Sequence, residues 1–441
     1  MRIIIGKHLC KKVFTTLCIV IGAFIFSGAL QPARAQVAQC TSYVSPTGSD
    51  SNPGSFTAPW QTVKKAFNTA TAGQTVCFRA GTYPALNSPD WICTGGVNTS
   101  PCYSGQENTS GAAGAPVTFT NYPNDAGSAI IQGSVEIHGS YITVRGTSTA
   151  TAACSAANPC GMVIEGRNDN ATNVVDVCCS NGTNPQFVVF DHVELRKGTF
   201  HAGFGQDGCN NTITGSYVHD NGNGISDQMH VVDQGIYWNV TSTGCTNGGL
   251  IANNIVEGNW AKGIQLYNAD SCSNPANVIV SGNTISNNDA QGVVIQGQGN
   301  VFVNNILYNN NNGSGPGPAA GGAQGDLSCI NNPSQHPPLA ANVVDHNITY
   351  NPTTQNCADW YDRTDLRCFL FPNNYITSND HADPLFANAS TNDWHLTSTS
   401  PAIGWINTCY LVSPRPLDLD GSPRCNPSVA SAPAAGAYEK H

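Results

Sequence analysis

Apolar and polar positions alternate in short runs along this chain, and the same run keeps returning. Aligning on the alternation superposes FVVFDHVELRKG (187–198), TITGSYVHDNG (212–222), LIANNIVEGN (250–259), VIVSGNTISNN (278–288), VFVNNILYNN (301–310) and NVVDHNITYN (342–351). A second short strand follows four of these: FHAGFGQD, VDQGIYWN, WAKGIQLY and DAQGVVIQ. Each unit therefore reads strand, tight Asn-containing turn, strand, variable loop, at a period of roughly 25 to 35 residues, the range expected of stacked repeats.

Strands this short cannot bury a face by themselves, whereas coils stacked one on the next join their inward Ile, Val and Leu into one continuous column. The Asn that recurs at the turn (Asn254, Asn283, Asn305, Asn347) can then stack into a ladder of amide hydrogen bonds. The predicted fold is all-β, a single right-handed parallel β-helix, with handedness taken from crossover chirality. A β-sandwich of Asn-rich hairpins is the alternative. It calls for two-residue Asn-Gly links between strands, not one recurring turn. The one good amphipathic helix, over 60–69 with Val63, Ala66 and Phe67 on a face, would cap the open N-terminal end of the solenoid.

The stretch that carries this helix opens on Tyr43-Val-Ser-Pro-x-Gly-x-Asp50 and leads to a Gly81-Thr-Tyr83 strand. It resembles the N-terminal entry of exported pectate-lyase-like β-helix proteins, and DPLFANASTNDWHLTSTSPAIGWIN with LDLDGSPR…AGAYE resembles their closing segment. The resemblance covers most of the chain. It implies fold, while for activity that group includes lyases, hydrolases, epimerases and binding proteins. The expected organisation is a signal peptide over 1–35, a cap and first coil over 36–83, a β-helix over 84–382 with excursions at 84–116, 145–185 and 313–341, and a closing segment over 383–441.

Composition sets the compartment. A basic start (Arg2, Lys7, Lys11, Lys12), an apolar run over 13–30 and Ala33-Arg34-Ala35 read as a secretory leader, so the mature protein is expected to be secreted, extracellular or periplasmic, with no membrane span. Cutting it removes five positive charges and takes the formal charge from -10 to -15. A chain this acidic, without clustered Lys and Arg, is not built for nucleic acid. Removing Cys10 and Cys18 leaves 16 of 18 cysteines, an even set that reads as disulfides. Cys93/Cys102, Cys154/Cys160, Cys357/Cys368 and Cys409/Cys425 are candidate short loops. A monomer is expected.

With only 10% of residues charged, Lys262 within WAKGIQLY stands out. If Ile264 and Leu266 face inward like Ile236, Trp238, Val293 and Ile295, then Lys262, Gln265 and Tyr267 face out, on the stripe of Gln234, Tyr237 and Asn239, with Asp233 and His201 nearby and His230 at its edge. Arg196-Lys197 and His219-Asp220 are expected at adjoining turns. This set suits β-elimination from a uronate polymer. Catalysis would rest on Lys262 as base, Tyr237 or His230 as acid and Asp233 to orient; Arg196, His201, Gln234, Gln265 and Tyr267 would bind substrate. The protein is thus expected to be a polysaccharide lyase whose partner is its polysaccharide substrate. The β-helix lyases it resembles often use calcium, yet no compact cluster of outward acids is apparent, and Asp418-Leu-Asp420-Gly is only a fragment of a calcium loop. Two alternatives remain. A glycoside hydrolase would draw on Asp220, Asp233 and Glu257, and a non-catalytic glycan-binding or cell-surface solenoid would use the same Tyr and Gln stripes and tolerate an exposed amine at Lys262.

Overall fold

The computed structural model describes residues 40–84, 91–94, 110–146, 160–166, 173–178, 184–198, 201–222, 233–240, 248–267, 277–295, 297–310, 326–329, 342–352, 375–377, 379–405 and 434–438. The leader and His230 lie outside them, as does at least one cysteine side chain of each candidate short-loop pair. The chain winds as a right-handed parallel β-helix with three all-parallel sheets of eleven, nine and eight strands, in which each strand pairs with its counterparts on the coils before and after. One middle coil shows the plan: Gly249–Ala252 in the first sheet, Ile255–Glu257 in the second, Ile264–Tyr267 in the third.

The interior is the apolar column that the alternation implied. Phe190, Ile213, Ile251, Val280 and Phe302 succeed one another down the first sheet, and each is fully buried. The amide ladder is present as expected: Asn254 Nδ2 donates to Asn283 Oδ1 (3.0 Å), Asn283 to Asn305 (2.9 Å), Asn305 to Asn347 (3.0 Å) and Asn347 to Asn379 (2.9 Å). A second ladder, Asn221, Asn259, Asn288, Asn310 and Asp326, lines the other turn with bonds of 2.8–3.0 Å. Both turns are made alike. A residue in the left-handed region, such as Asn253 (φ 56°) or Asn304 (φ 62°) in one and Asp220 (φ 52°) or Asn309 (φ 54°) in the other, precedes the ladder residue. Asn, Asp and Gly tolerate that conformation best, which accounts for the composition of the chain.

Three segments expected to be excursions each contain strands of the helix: Trp91–Thr94, then Met162–Glu165 and Val175–Val177, then Leu327–Cys329. The cap helix, Val63–Thr69, starts three residues later than expected. Trp60 is drawn into a bridge with Val44, and Thr62 becomes the N-cap, accepting from Lys65 N. Val63, Ala66 and Phe67 are its buried face. Cys40–Cys77 is a disulfide, tying the chain start to the first full coil, and Cys160, Cys178 and Cys209 are also disulfide-bonded. Among the described residues no helix is long and apolar enough to cross a membrane.

The closing segment lies on the outside of the second sheet. There Trp394, Ala437 and Tyr438 pack over outward-facing Tyr217 and Ile255, while Leu396, Ala402, Ala434 and Ala435 cover Ile306 and Ile348. An outward apolar column would otherwise meet water.

Candidate functional site

Lys262 lies in the bend that leads into the third-sheet strand Ile264–Tyr267. The residue after it, Gly263, turns inward: a Cβ built there would meet Ile285 Cγ2 at 2.7 Å and Asn288 Nδ2 at 2.8 Å. Lys262 shares the parity of inward-facing Ile264 and Leu266, so strict alternation would turn it inward, contrary to the expectation, and it is the bend at Gly263 that takes it out of that register. Backbone bonds from Gly235 N to Lys262 O (2.9 Å) and from Gly263 N to Gln291 O (3.0 Å) place it between the coils of Gln234 and Gln291. It is only 5% exposed, and the amides around it are also buried: Gln234 at 3%, Gln265 at 6% and Gln291 at 7%. Gln234 Nε2 donates to Gln265 Oε1 (2.8 Å), joining two of these amides.

Tyr237 is not the vertical neighbour of Lys262, contrary to expectation. The register set by Ile236/Ile264 and Trp238/Leu266 puts Tyr237 against Gln265 and Asn239 against Tyr267. Tyr237 therefore sits three positions further along, about 10 Å at the usual rise of a strand. It packs with Tyr267 instead, ring centroids 5.6 Å apart and tilted by 33°. Asp233 is fully buried and accepts from His201 N (2.9 Å), which brings that pair together beside the same bend.

Earlier coils of this face hold carboxylates that the sequence reading missed. The outward position of Tyr237 continues through Gly205 to Asp176 and Glu136. Asp176 is pushed up to about 8, first by burial and then by the charges of Glu136 and Asp207. Asp207 Oδ1 in turn accepts from Asn239 Nδ2 (2.8 Å). These acids precede the middle coils for which no acid cluster was expected, and the strand bearing Asp176 lay in a stretch read as an excursion. Even so, among the described residues no group of three or more His, Cys, Asp or Glu is arranged to hold a metal ion.

Arg196 belongs to a different face. It extends from the second sheet, where Nε and Nη2 donate to Glu165 Oε2 (3.0 and 2.9 Å) and Nη1 donates to Glu194. His219, next to Arg196 in register, stacks on Tyr217 at 3.8 Å and contacts Asp220 Oδ2 (2.9 Å) and Glu194 Oε1 (3.3 Å). Burial alone would lower the His219 pKa, but its two carboxylate partners outweigh that and raise it. The basic and aromatic residues of the middle coils are thus split between two faces, because strands of successive sheets point their outward residues in different directions.

The same network removes one hydrolytic pair. Glu257, 3% exposed, accepts from Tyr217 Oη, Asn392 Nδ2 (2.8 Å) and Trp394 Nε1, and burial raises its pKa. The closing segment seals it from solvent. Asp220 is bound to His219, and Asp233 lies beside the third sheet.

Residues 42–221 match the family described as the Pel9A-like right-handed β-helix region. Across the structure, the chain is similar to pectate lyase Pel9A, with a TM-score of 0.53 at 15% identity, over 91% of this chain and 96% of that one. It is also similar to a mannuronic acid specific family 6 polysaccharide lyase from human gut microbiota, with a TM-score of 0.42 at 16% identity over 66% of this chain and 58% of that one. A curated relative, the uncharacterized protein YwoF of Bacillus subtilis (strain 168), is 34% identical over 101 residues, which is 23% of this chain and 17% of YwoF. The matched part thus spans about a sixth of that relative's length. The family match and the likeness to pectate lyase Pel9A agree with the fold.

Proposed function

We propose that the protein is a carbohydrate-active enzyme, a polysaccharide lyase that cleaves a uronate-containing polymer by β-elimination at Lys262. The observation that carries this reading is the burial of Lys262, 5% exposed, among the amides Gln234, Gln265 and Gln291. An amine enclosed among amides is held in place for proton transfer, and a positioned proton acceptor is what the first step needs. A solvated solubilising lysine, the expectation for a plain binding surface, would not be enclosed in this way.

In the proposed reaction the Lys262 amine removes the proton next to the sugar carboxylate, the released electron pair spreads onto that carboxylate, and it then forms the ring carbon–carbon double bond as the glycosidic C–O bond breaks and the departing oxygen takes up a proton. Amide N–H groups of Gln234, Gln265 and Gln291 would take up the growing charge on the carboxylate oxygens, where donors matter most. Asp233 would fix the bend through His201. Three residues of offset favour Tyr237, with Tyr267, as a platform for a sugar ring over a proton-donating role, which leaves His230 as the proposed acid for the departing oxygen. Arg196, held by Glu165 and Glu194, is not carried forward as a substrate ligand. Similarity to pectate lyase Pel9A is in line with such chemistry.

The test is direct. The purified protein is incubated with pectic, alginate and glycosaminoglycan polymers, with and without a chelator, and absorbance of unsaturated sugar ends is followed beside reducing sugar. Unsaturated ends that vanish in Lys262→Ala support the proposal. Reducing sugar without unsaturation would replace it with hydrolysis, and neither signal would replace it with glycan binding.

A further inference from the structure

Two aromatic side chains at the corner between the third and first sheets occupy a backbone conformation that bulky residues avoid. Tyr141 and Phe187 are matched on successive coils by the pairing of Thr143 with Val189, and their rings stack 4.7 Å apart at 15°. Both are left-handed, at φ 57° and 59°. Further along the same column the position is filled by Asn210 and Asn277, at φ 59° and 49°, a residue type that accepts it readily. The aromatic residues are not repaid by burial. Phe187 is 41% exposed, one of three large hydrophobic residues exposed among the described residues. Strain held by a pair whose only described packing is one ring on the other, with Phe187 left exposed, points to use.

The surroundings indicate what it is used for. Asn210 Nδ2 donates to Gln186 Oε1 (3.3 Å), Ser140 Oγ accepts from Gln186 N (3.0 Å) and Ser110 Oγ accepts from Ser140 N (3.2 Å). An apolar ring surface rimmed by neutral amides and hydroxyls matches a pyranose, which offers C–H groups from one face and hydroxyls around its edge. The coil of Phe187 carries the third-sheet strand Val175–Val177, which precedes the Tyr237 strand by two. That step is about 10 Å along the axis.

We propose that Tyr141 and Phe187 form a second carbohydrate-binding platform, which holds an uncharged sugar unit of the polymer outside the Lys262 site. The choice of a polymer rests on the lyase reading, but the platform is tested by binding alone. Full-length protein, Phe187→Asn and Tyr141→Asn would be run by affinity electrophoresis in gels containing rhamnogalacturonan or arabinoxylan. The expected result is retardation of the wild type that weakens about fivefold in either aromatic variant, the scale of one lost ring contact. Thermal midpoints of the aromatic variants hold or rise because Asn suits the backbone. Three results would each overturn the platform: no retardation of the wild type by either polymer, retardation unchanged by both aromatic substitutions, or a midpoint that falls together with binding, which would make the stack purely structural. Retardation that depends on Phe187 while no polymer yields unsaturated ends would keep the platform and remove the lyase.

Discussion

Replacing Asn283 with alanine takes out one rung of the first amide ladder, and the structure gives the size of the loss. Asn283 Oδ1 accepts from Asn254 N (2.9 Å) and Asn254 Nδ2 (3.0 Å), and its Nδ2 donates to Ile251 O (3.0 Å) and Asn305 Oδ1 (2.9 Å). Part of this survives the change. Asn254 Nδ2 keeps Ile213 O, and Asn305 Oδ1 keeps the backbone N–H of residue 283. The Asn254 backbone N–H loses its acceptor and Ile251 O loses its side-chain donor, in a region with no solvent exposure. At ~1–3 kcal/mol for each of these two buried groups, Asn283→Ala should cost about 2–6 kcal/mol. That is a large share of the ~5–15 kcal/mol that holds a typical domain together. Guanidinium unfolding followed by tryptophan fluorescence measures the total, and hydrogen exchange at the Asn254 amide reads the site itself. Asn283→Asp, which retains an acceptor, should protect that amide better than alanine does. A cost under about 1 kcal/mol with the Asn254 amide still protected would refute the idea that the ladder bears the turn.

Further expectations concern the site and the closing segment. Lys262→Met should lower the rate of formation of unsaturated ends by about 10²–10⁴-fold, the usual worth of a positioned base, while leaving the circular dichroism of the coils unchanged. Trp394→Ala, at a side chain 1% exposed, should cost about 3–5 kcal/mol in the same unfolding assay and loosen the cover of the second sheet. Stability should also depend on pH in a definite sense. The raised pKa of His219 contributes stability fully below its ordinary 6.5 and loses it as pH climbs through the folded value, and raised Glu257 acts in the same direction from 4.5 upward. Glu165, Glu194 and Asp220 are lowered, so theirs is present above their ordinary 4.5, 4.5 and 3.8 and lost on acidification. Thermal midpoints should peak between about pH 4.5 and 6.5, and His219→Asn should flatten the alkaline fall; an unchanged alkaline slope would contradict the assignment.

The fold was legible because period and turn chemistry are local. Alternation around Ile251, Val280 and Phe302 gave the interior column, and one Asn per turn gave the first ladder. The second ladder was equally visible in GN, NN and NN at residues 258–259, 287–288 and 309–310, but attention to a single turn per coil passed over it. Coils near 162–177 were hidden because their strands, Met162–Glu165 and Val175–Val177, are separated from neighbours by long Gly- and Asn-rich stretches that mask the period. The site was legible only in part. Parity put Gln265 and Tyr267 outside correctly, whereas sequence distance from the bend could not say which sheet Arg196 and His219 would occupy. That depends on how many residues each turn consumes, and the carboxylates that settle their roles include Glu165, 31 residues from Arg196, and Glu194, 25 residues from His219 on the neighbouring strand.

The paired left-handed residue and ladder amide at each corner make the turn instructions self-contained. A coil written this way needs from its neighbours only a ladder amide at the same corner and a matching height, so an entire winding that carries both can be spliced in or cut out without retuning the rest. The number of windings can therefore change while the shaft of stacked coils keeps its cross-section.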